Sequence, residues 1–527
     1  MVTRTGYLGI DAGTQGLSVI FTDDQMRILA TGEGGYEMLP GLGPECSEQH
    51  PGDWERALEA AMADLRRKLA AAGIEMEVLA IGISGQMHGE VHVDELGRAL
   101  GPARLWCDGR NEAEGRELTE RLGVKCPKRL TASRWLWTIR NQPEKAAKVA
   151  HITTPSGWIA RLLTGQWNLG IGDAAGMFPI DQQSLDYDAA RLADFDALAA
   201  ATMPTAAVRP LRELLPRVRR AGEDGGRLDA AGAGLLGLPE GIPVAPAEGD
   251  QPAALTGSLI GSAGQVAMSF GTSVVANSVG DRPFVGIADA IDHFCAPDGR
   301  PINMVWLRNG TTPMNTVVEM FAQVVDPGTG GRSAGFAAMM PQLLAAADDC
   351  GGLLALPFMD DEPGLGVSRG GAACLVGLNA ANATPGNAAK AMLLATMFNL
   401  RIGSDLLERQ GFPRTEILLS GGLTKTPALG QILADVFNTP VSILDGATEG
   451  TAFGAALMAR YRALAIAGRP PEWSAFLSGH ASGTPTRFTP RPAAMRTYAQ
   501  IYDRYRRLVA LHGSLEALQP TNGQTAP

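Results

Sequence analysis

The chain has 527 residues, more than one hydrophobic core organises, so roughly two to four domains are expected. Apolar residues make up 45% and charged residues 19%, a globular composition, and a net charge of −10 with no compensating basic block argues against nucleic acid as a partner. Six scattered cysteines without a C-x-x-C pair speak against a zinc site or a disulfide framework. The start, MVTRTGYLGID, runs straight into a strand, and no apolar run reaches the ~20 residues of a membrane span, so a soluble cytoplasmic protein is expected.

Residues 7–23, YLGIDAGTQGLSVIFTD, read as a strand, a polar glycine turn and a second strand. The turn gathers Asp11, Gly13, Thr14, Gln15 and Gly16. A carboxylate ends the first strand, and small residues leave backbone N–H groups exposed after it. That combination suits a metal-bound polyphosphate. A plain β-hairpin whose glycines supply positive φ explains the same residues, and on this stretch alone both readings stand. A third strand is expected over 25–31. An amphipathic helix follows over 53–72, with Trp54, Leu58, Met62, Leu65 and Leu69 at helical spacing.

The apolar run 78–84, VLAIGIS, has the length and continuity of a strand buried on both faces. It ends in Gly85-Gln86-Met87-His88-Gly89, and the end of such a strand is where open α/β sheets bind ligands. LWCDGR (105–110) follows a Gly-Pro turn. Helices are expected over 111–122, 134–149 and 184–201, with a Gly-rich irregular stretch over 165–179. In VAPAEGDQPAA (244–254) a short strand and a turn lead into a helix start, and Asp250 in that turn suits a helix N-cap.

The pattern then restarts. GQVAMSFGTSVVANS (264–278) is again strand, Gly-Thr-Ser turn, strand, echoing the opening hairpin about 260 positions later. Any two hairpins with a Gly-Thr turn look alike, but each of these also begins a β-rich block that leads into helices, as a duplication requires. Further helices are expected over 312–325, 336–346, 388–409 and 428–437, and strands over 353–358, 373–378, 416–420 and 441–444. In a closing helix over 448–466, Gly450 and Gly454 stack on one face and let another backbone approach. A last helix over 492–515 precedes a disordered tail from 519.

Three loops therefore share a design, small residues at the end of a buried strand: Gly13-Thr14, Gly271-Thr272-Ser273 and Gly421-Gly422. Together they point to a nucleotide held between two similar halves. Neither a G-x-x-x-x-G-K-S/T nor a strand-linked G-x-G-x-x-G is present. In this order the motifs resemble those of the FGGY carbohydrate kinases, within the actin-like ATPase superfamily, over residues 7–460. LGIDAGTQGLSV is similar to that family's first phosphate loop, and GISGQMHG and LWCDGR to the sugar-side motifs of its xylulokinase branch. AEGDQPAAL is similar to the segment carrying the catalytic aspartate, MSFGTS to the second phosphate loop, and LLSGGLTKTPALGQILADVFNTPV to the adenosine segment.

The resemblance implies an α/β fold of two actin-like (ribonuclease H-like) domains with an active-site cleft between them. Residues 1–256 would form the sugar-binding side and 257–518 the ATP-binding side, leaving 519–527 as the tail. It implies ATP-dependent phosphorylation of a terminal hydroxyl of a small ketose, D-xylulose first, with glycerol, ribulose, a tetritol or a heptulose as alternative acceptors. An actin-like ATP-binding switch without sugar is the competing reading of another class. Asp250 would be the general base and Asp11 would hold Mg²⁺ through water. Gly13, Thr14, Gln15, Gly271 and Thr272 would contact phosphates, and Gly310, Asn315, Gly421 and Gly422 the rest of the nucleotide. Gln86, Met87, His88 and Gln251 would face the sugar. Asp108 and Arg110 would build the pocket wall or its salt bridges, and Trp106 would serve packing. One position departs from the pattern: many xylulokinases carry Asn after the catalytic Asp, whereas Gln251 stands here and GDQ-x-AAL is similar to the glycerol kinase branch. A homodimer is compatible with the sequence, and no membrane partner is expected.

Overall fold

A computed structural model describes residues 1–202, 208–325, 332–443, 450–480 and 485–517. The predicted start of the closing helix at 448 and the tail from 519 lie outside them. The first half opens with β1 (Val2–Ala12), β2 (Gly16–Asp23) and β3 (Ile28–Gly35), an antiparallel meander. Helix α1 (Pro51–Ala71) returns the chain to β4 (Ile74–Gly85), which pairs parallel to β1, and the short β5 (Glu248–Gly249) pairs parallel to β4. Helix α2 (Asp250–Gly257) starts directly from β5. The sheet order is β5-β4-β1-β2-β3.

The second half repeats the plan. Strands β6 (Gln265–Phe270) and β7 (Val274–Val279) form a hairpin, extended by the β8 (Ile291–Cys295) and β9 (Pro301–Leu307) hairpin. Helices α3 (Thr312–Val325) and α4 (Pro385–Arg409) lead to β10 (Glu416–Gly421), parallel to β6, and β11 (Val441–Ile443), parallel to β10. With β12 (Thr486–Phe488) at the edge, the order is β8-β9-β7-β6-β10-β11-β12. Setting aside β8 and β12, both sheets read antiparallel, antiparallel, parallel, parallel in the same spatial order. The fold is thus the expected pair of similar α/β domains.

Each half has its own core. Leu8, Ile10, Val19, Trp54, Leu58 and Ile83 belong to the first, and Phe270, Val305, Phe398, Ile417 and Tyr498 to the second. The other face of the first sheet (Tyr7, Ile20, Ala80) is covered by α5 (Gly450–Ile466), a helix that returns from the second half. Glycines make that contact close. A Cβ on Gly9 or Gly82 would overlap the carbonyls of Ala452 or Ala455, and one on Gly454 would overlap the Ala253 carbonyl of α2. The helix is therefore wedged between the first sheet and the helix that begins at Asp250.

Two local expectations are corrected. The third strand runs over 28–35 rather than 25–31, because the Asp23 carboxylate accepts the Gln25 and Arg27 N–H groups and Met26 turns at φ 62°. The predicted helix 134–149 begins earlier, as Thr131–Asn141, and a new short helix restarts at Pro143. Pro143 has no N–H to continue the first ladder.

Candidate active site

The site grows from the ends of β1, β4 and β5, which lie side by side. Asp11 closes β1. Both of its carboxylate oxygens accept hydroxyl hydrogen bonds, from Ser84 at the end of β4 and from Thr451 on α5. Burial nevertheless pushes its carboxyl up, since the donors are neutral. Asp250 is the first residue of α2. Gly249 occupies the cap position and no side chain caps the helix, so the Asp250 carboxylate does not serve as its N-cap. Burial, then the Asp11 and Asp173 carboxylates, push Asp250 to about 7, tempered by the backbone N–H groups of Gln251 and Met87.

Asp173 and Glu248 complete an acidic floor that the sequence did not announce. Asp173 accepts the Thr154 and Ser156 hydroxyls through one oxygen, and its other oxygen is buried without a partner. Burial pushes it to about 6. Glu248 accepts the backbone N–H groups of Gly172 and Asp173 and is itself pushed far up by burial. Asp173 lies in the stretch read as irregular. Its signal was a carboxylate inside an otherwise apolar and glycine-rich run.

The Gly13-Thr14 turn is braced from beneath. Tyr36 donates to the Gly13 and Gly16 carbonyls, and Gln49 donates to the Thr14 carbonyl at 2.8 Å. Gln86 is fully buried in this brace, donating to Gln49 at 3.0 Å and accepting from the Thr14 hydroxyl at 3.3 Å. The structure thus brings Gln86 to the turn and separates it from Met87 and His88. Trp106 does more than pack, because its indole N–H donates to the Thr14 hydroxyl at 3.1 Å. Asp108 and Arg110 pair at 2.7 Å, and Asp108 also accepts the Ser47 N–H.

Met87, His88 and Gln251 line an interdomain cavity of about 400 Å³. Gln251 is held by Asn277 of β7, which donates to its side-chain oxygen at 3.3 Å. His88 sits at φ 63°, its carbonyl bonded by Arg134. Its Nδ1 lies 3.1 Å from the Gly176 carbonyl. A carbonyl only accepts, so Nδ1 carries the proton. Burial, then the Arg129 cation, hold the ring's pKa down to about 3. His88 is therefore neutral, and its Nε2 is a hydrogen-bond acceptor.

In the second half, Gly271 and Thr272 are exposed at the tip of the β6–β7 hairpin. Gly310 packs beneath them, and a Cβ there would stand 2.6 Å from the Gly271 and Thr272 carbonyls. The Glu362 carboxylate holds this crossing by accepting the Arg308 and Asn309 N–H groups. A second cavity of about 540 Å³ is lined by Thr311, Asn315, Phe336, Gly422 and Lys425. Gly421 beside it adopts φ 78°, a conformation glycine takes without strain. Among the described residues no group of three or more His, Cys, Asp or Glu side chains could hold a metal ion alone. No helix there is long and apolar enough to cross a membrane.

Residues 6–257 match the profile of the FGGY family of carbohydrate kinases, N-terminal domain, and residues 266–463 that of its C-terminal domain. The chain belongs to the FGGY family of carbohydrate kinases. Among FGGY relatives, a xylulose kinase of Haemophilus influenzae is 29% identical over 472 residues, covering 86% of this chain and 90% of that protein. A xylulose kinase of Escherichia coli is 27% identical over 470 residues, covering 87% and 90%. The crystal structure of xylulose kinase from Rhodospirillum rubrum superposes with a TM-score of 0.81 at 23% identity, covering 97% of this chain and 99% of that one.

Proposed function

We propose that this FGGY kinase transfers the γ-phosphoryl group of MgATP to a terminal hydroxyl of a small ketose, D-xylulose first. The observation that carries the reading is Asp250, a carboxylate at a helix start, beside the cavity lined by Met87, His88 and Gln251 and raised to about 7. A base with that pKa accepts a hydroxyl proton near neutral pH as the oxygen attacks. The named relatives at 27–29% identity support the choice of sugar.

The chain's own residues supply the rest. His88 Nε2 accepts a hydrogen bond from one sugar hydroxyl, and Gln251, held by Asn277, orients another. The Gly13 and Gly271 N–H groups close their own turns, onto the Gly16 and Ser273 carbonyls, so the N–H groups offered to phosphate oxygens are those of Thr14 and Thr272. The cavity lined by Asn315 and Gly422 suits the adenosine. The residues fit Mg²⁺ as an ion that keeps its water: one carboxylate, Asp11, faces only neutral donors, and no dedicated cage of ligands exists among the described residues. When bound, the cation neutralises charge on the phosphates. No covalent phosphoenzyme is needed, because the sugar oxygen is the nucleophile.

The test is ATP turnover against a panel of ketoses and polyols. Dependence on D-xylulose is the expected result, whereas turnover that ignores every sugar would favour an actin-like switch. Gln251→Asn shortens the side chain by one methylene and breaks the Asn277 contact. It is expected to reorder kcat/KM among xylulose, ribulose and glycerol, and an unchanged order would mean that Gln251 does not select the acceptor.

A further inference from the structure

The two glycine turns of the site both hide their carbonyls. In the first, the Tyr36 hydroxyl donates to the Gly13 carbonyl, with the Gly16 carbonyl 3.0 Å away, and the Gln49 amide donates to the Thr14 carbonyl at 2.8 Å. In the second, the Gly271 carbonyl accepts the N–H and the hydroxyl of Thr311, each at 2.8 Å, and the Thr272 carbonyl accepts the Gly310 N–H at 2.9 Å. A turn that only reversed the chain would leave these carbonyls to water. Here they are drawn inward, on the first turn by side chains that are themselves buried.

A peptide unit is planar and trans, so its C=O and the N–H that follows point opposite ways. Drawing in the Gly13 and Thr14 carbonyls turns the Thr14 and Gln15 N–H groups to the open side of the turn. The same geometry extends to Thr272 and Ser273 on the second turn. None of these four N–H groups is bonded among the described residues. Two successive N–H groups facing one way make an anion-binding concavity.

The brace behind the first turn has one fixed polarity. The Gln49 side-chain oxygen accepts the Trp54 indole N–H and a Gln86 amide N–H, both at 3.0 Å. An indole N–H only donates, so the Gln49 amide cannot flip and its NH₂ must face Thr14. Burial, then the Asp11 carboxylate, push the Tyr36 phenol above its ordinary range, so it keeps the proton it donates. The turn itself directly follows Asp11 and belongs to the half that carries Asp250. Its concavity therefore faces a phosphoryl group leaving the nucleotide rather than the adenosine end.

We infer that Tyr36 and Gln49 are positioning residues for phosphoryl transfer: standing behind the turn, they hold the Gly13 and Thr14 carbonyls inward and so aim the Thr14 and Gln15 N–H groups at the phosphoryl group in transit. This rests on the kinase reading above and deepens it by naming what orients the donors. The brace of the first turn is made of side chains and that of the second mainly of backbone, so point substitutions can disarm the first alone.

The experiment compares wild type, Tyr36→Phe and Gln49→Met. It measures kcat and KM for D-xylulose, or for the ketose or polyol turned over fastest in its place, at saturating MgATP, and the Kd and stoichiometry of MgADP by titration. Tyr36→Phe removes one oxygen and releases the Gly13 carbonyl. Gln49→Met keeps the side chain's length and releases the Thr14 carbonyl; its Tm should also fall, because the Trp54 and Gln86 donors lose their acceptor. Deleting a donor to a developing oxyanion costs about 10²–10³-fold in kcat, and loosening its aim should cost about ten-fold or more in each variant. The KM of the acceptor and the Kd of MgADP should stay within about two-fold, the split expected when an interaction made in the transition state is lost. The MgADP stoichiometry counts folded sites, so a variant that folds poorly is still read per competent site. An unchanged kcat per site, or a kcat that falls together with a weakened KM and Kd, removes that residue from the positioning role and leaves the kinase reading intact. Wild-type enzyme that turns over no ketose or polyol overturns the kinase reading itself.

Discussion

Asp250→Asn is expected to lower kcat for sugar phosphorylation by about 10²–10⁴-fold while ATP still binds, as measured by steady-state kinetics and nucleotide titration. The amide keeps the shape at the start of α2 and removes only the basic oxygen. Two pH readouts separate this from a packing effect. The wild-type activity should fall on the acid side as Asp250 takes its proton, below a limit of about 7 set by burial, Asp11 and Asp173. A cation beside Asp11 cancels part of that field and moves the limb lower. Asp173→Asn removes one of the two neighbouring charges, so it should also shift the limb to lower pH, which a merely structural role would not do. The stability effect has the opposite sign to the activity effect. Between the ordinary 3.8 and about 7 the native state holds a proton that the unfolded chain releases, so this group costs stability as pH rises through that window. The Asn variant escapes that cost, and its Tm at pH 8 should equal or exceed wild type. Near-normal kcat in the variant would remove Asp250 from the role of base.

Much of this arrangement was legible in the sequence because it rests on short-range signals. A buried strand followed by small residues marks a loop that faces a ligand, and three such loops in a repeated order marked two halves. What the sequence concealed depends on contacts with no fixed spacing. Asp173 reaches the floor of the site from a glycine-rich run, held by the Thr154 and Ser156 hydroxyls. Thr451 reaches Asp11 from a helix 440 positions away. Gln86 stands beside Met87 and His88 in sequence, yet its side chain turns to Thr14 and Gln49, since successive residues leaving a strand point to opposite sides. Arg129, Lys125 and Asp292 belong to no motif, and only the meeting of the halves brings them together. The displaced third strand has the same kind of cause, because Met26 adopts a left-handed turn without a glycine to announce it.

Gly454→Ala is expected to lower both Tm and kcat, through a single added methyl group. The sequence showed that Gly450 and Gly454 permit a close approach, and the structure identifies the partner as α2. A Cβ on Gly454 would overlap the Ala253 carbonyl, and one on Gly257 would likewise overlap the Gly450 carbonyl. Neither neighbour is a flexible side chain that could swing aside. On the other flank α5 is pinned by Gly9 and Gly82 of the first sheet, so it cannot retreat. Overpacking of this kind costs about 1–3 kcal/mol, enough for several degrees in Tm in a thermal melt. The catalytic consequence follows from what the two helices carry. Asp250 begins α2, and Thr451 near the start of α5 donates to Asp11. Separating the helices moves Asp250, the proposed base, relative to Asp11, the carboxylate proposed for the metal side, and a displacement of about 1 Å costs up to about 10²-fold in rate. Gly234→Ala is the control. It lies in the helix Ala230–Leu236, where an added Cβ meets nothing within 4 Å. The helix gains there by about 0.5–1 kcal/mol, so Tm should hold or rise with kcat unchanged. If Gly454→Ala behaved like this control, the α2–α5 contact would not be what holds Asp250 in register with Asp11.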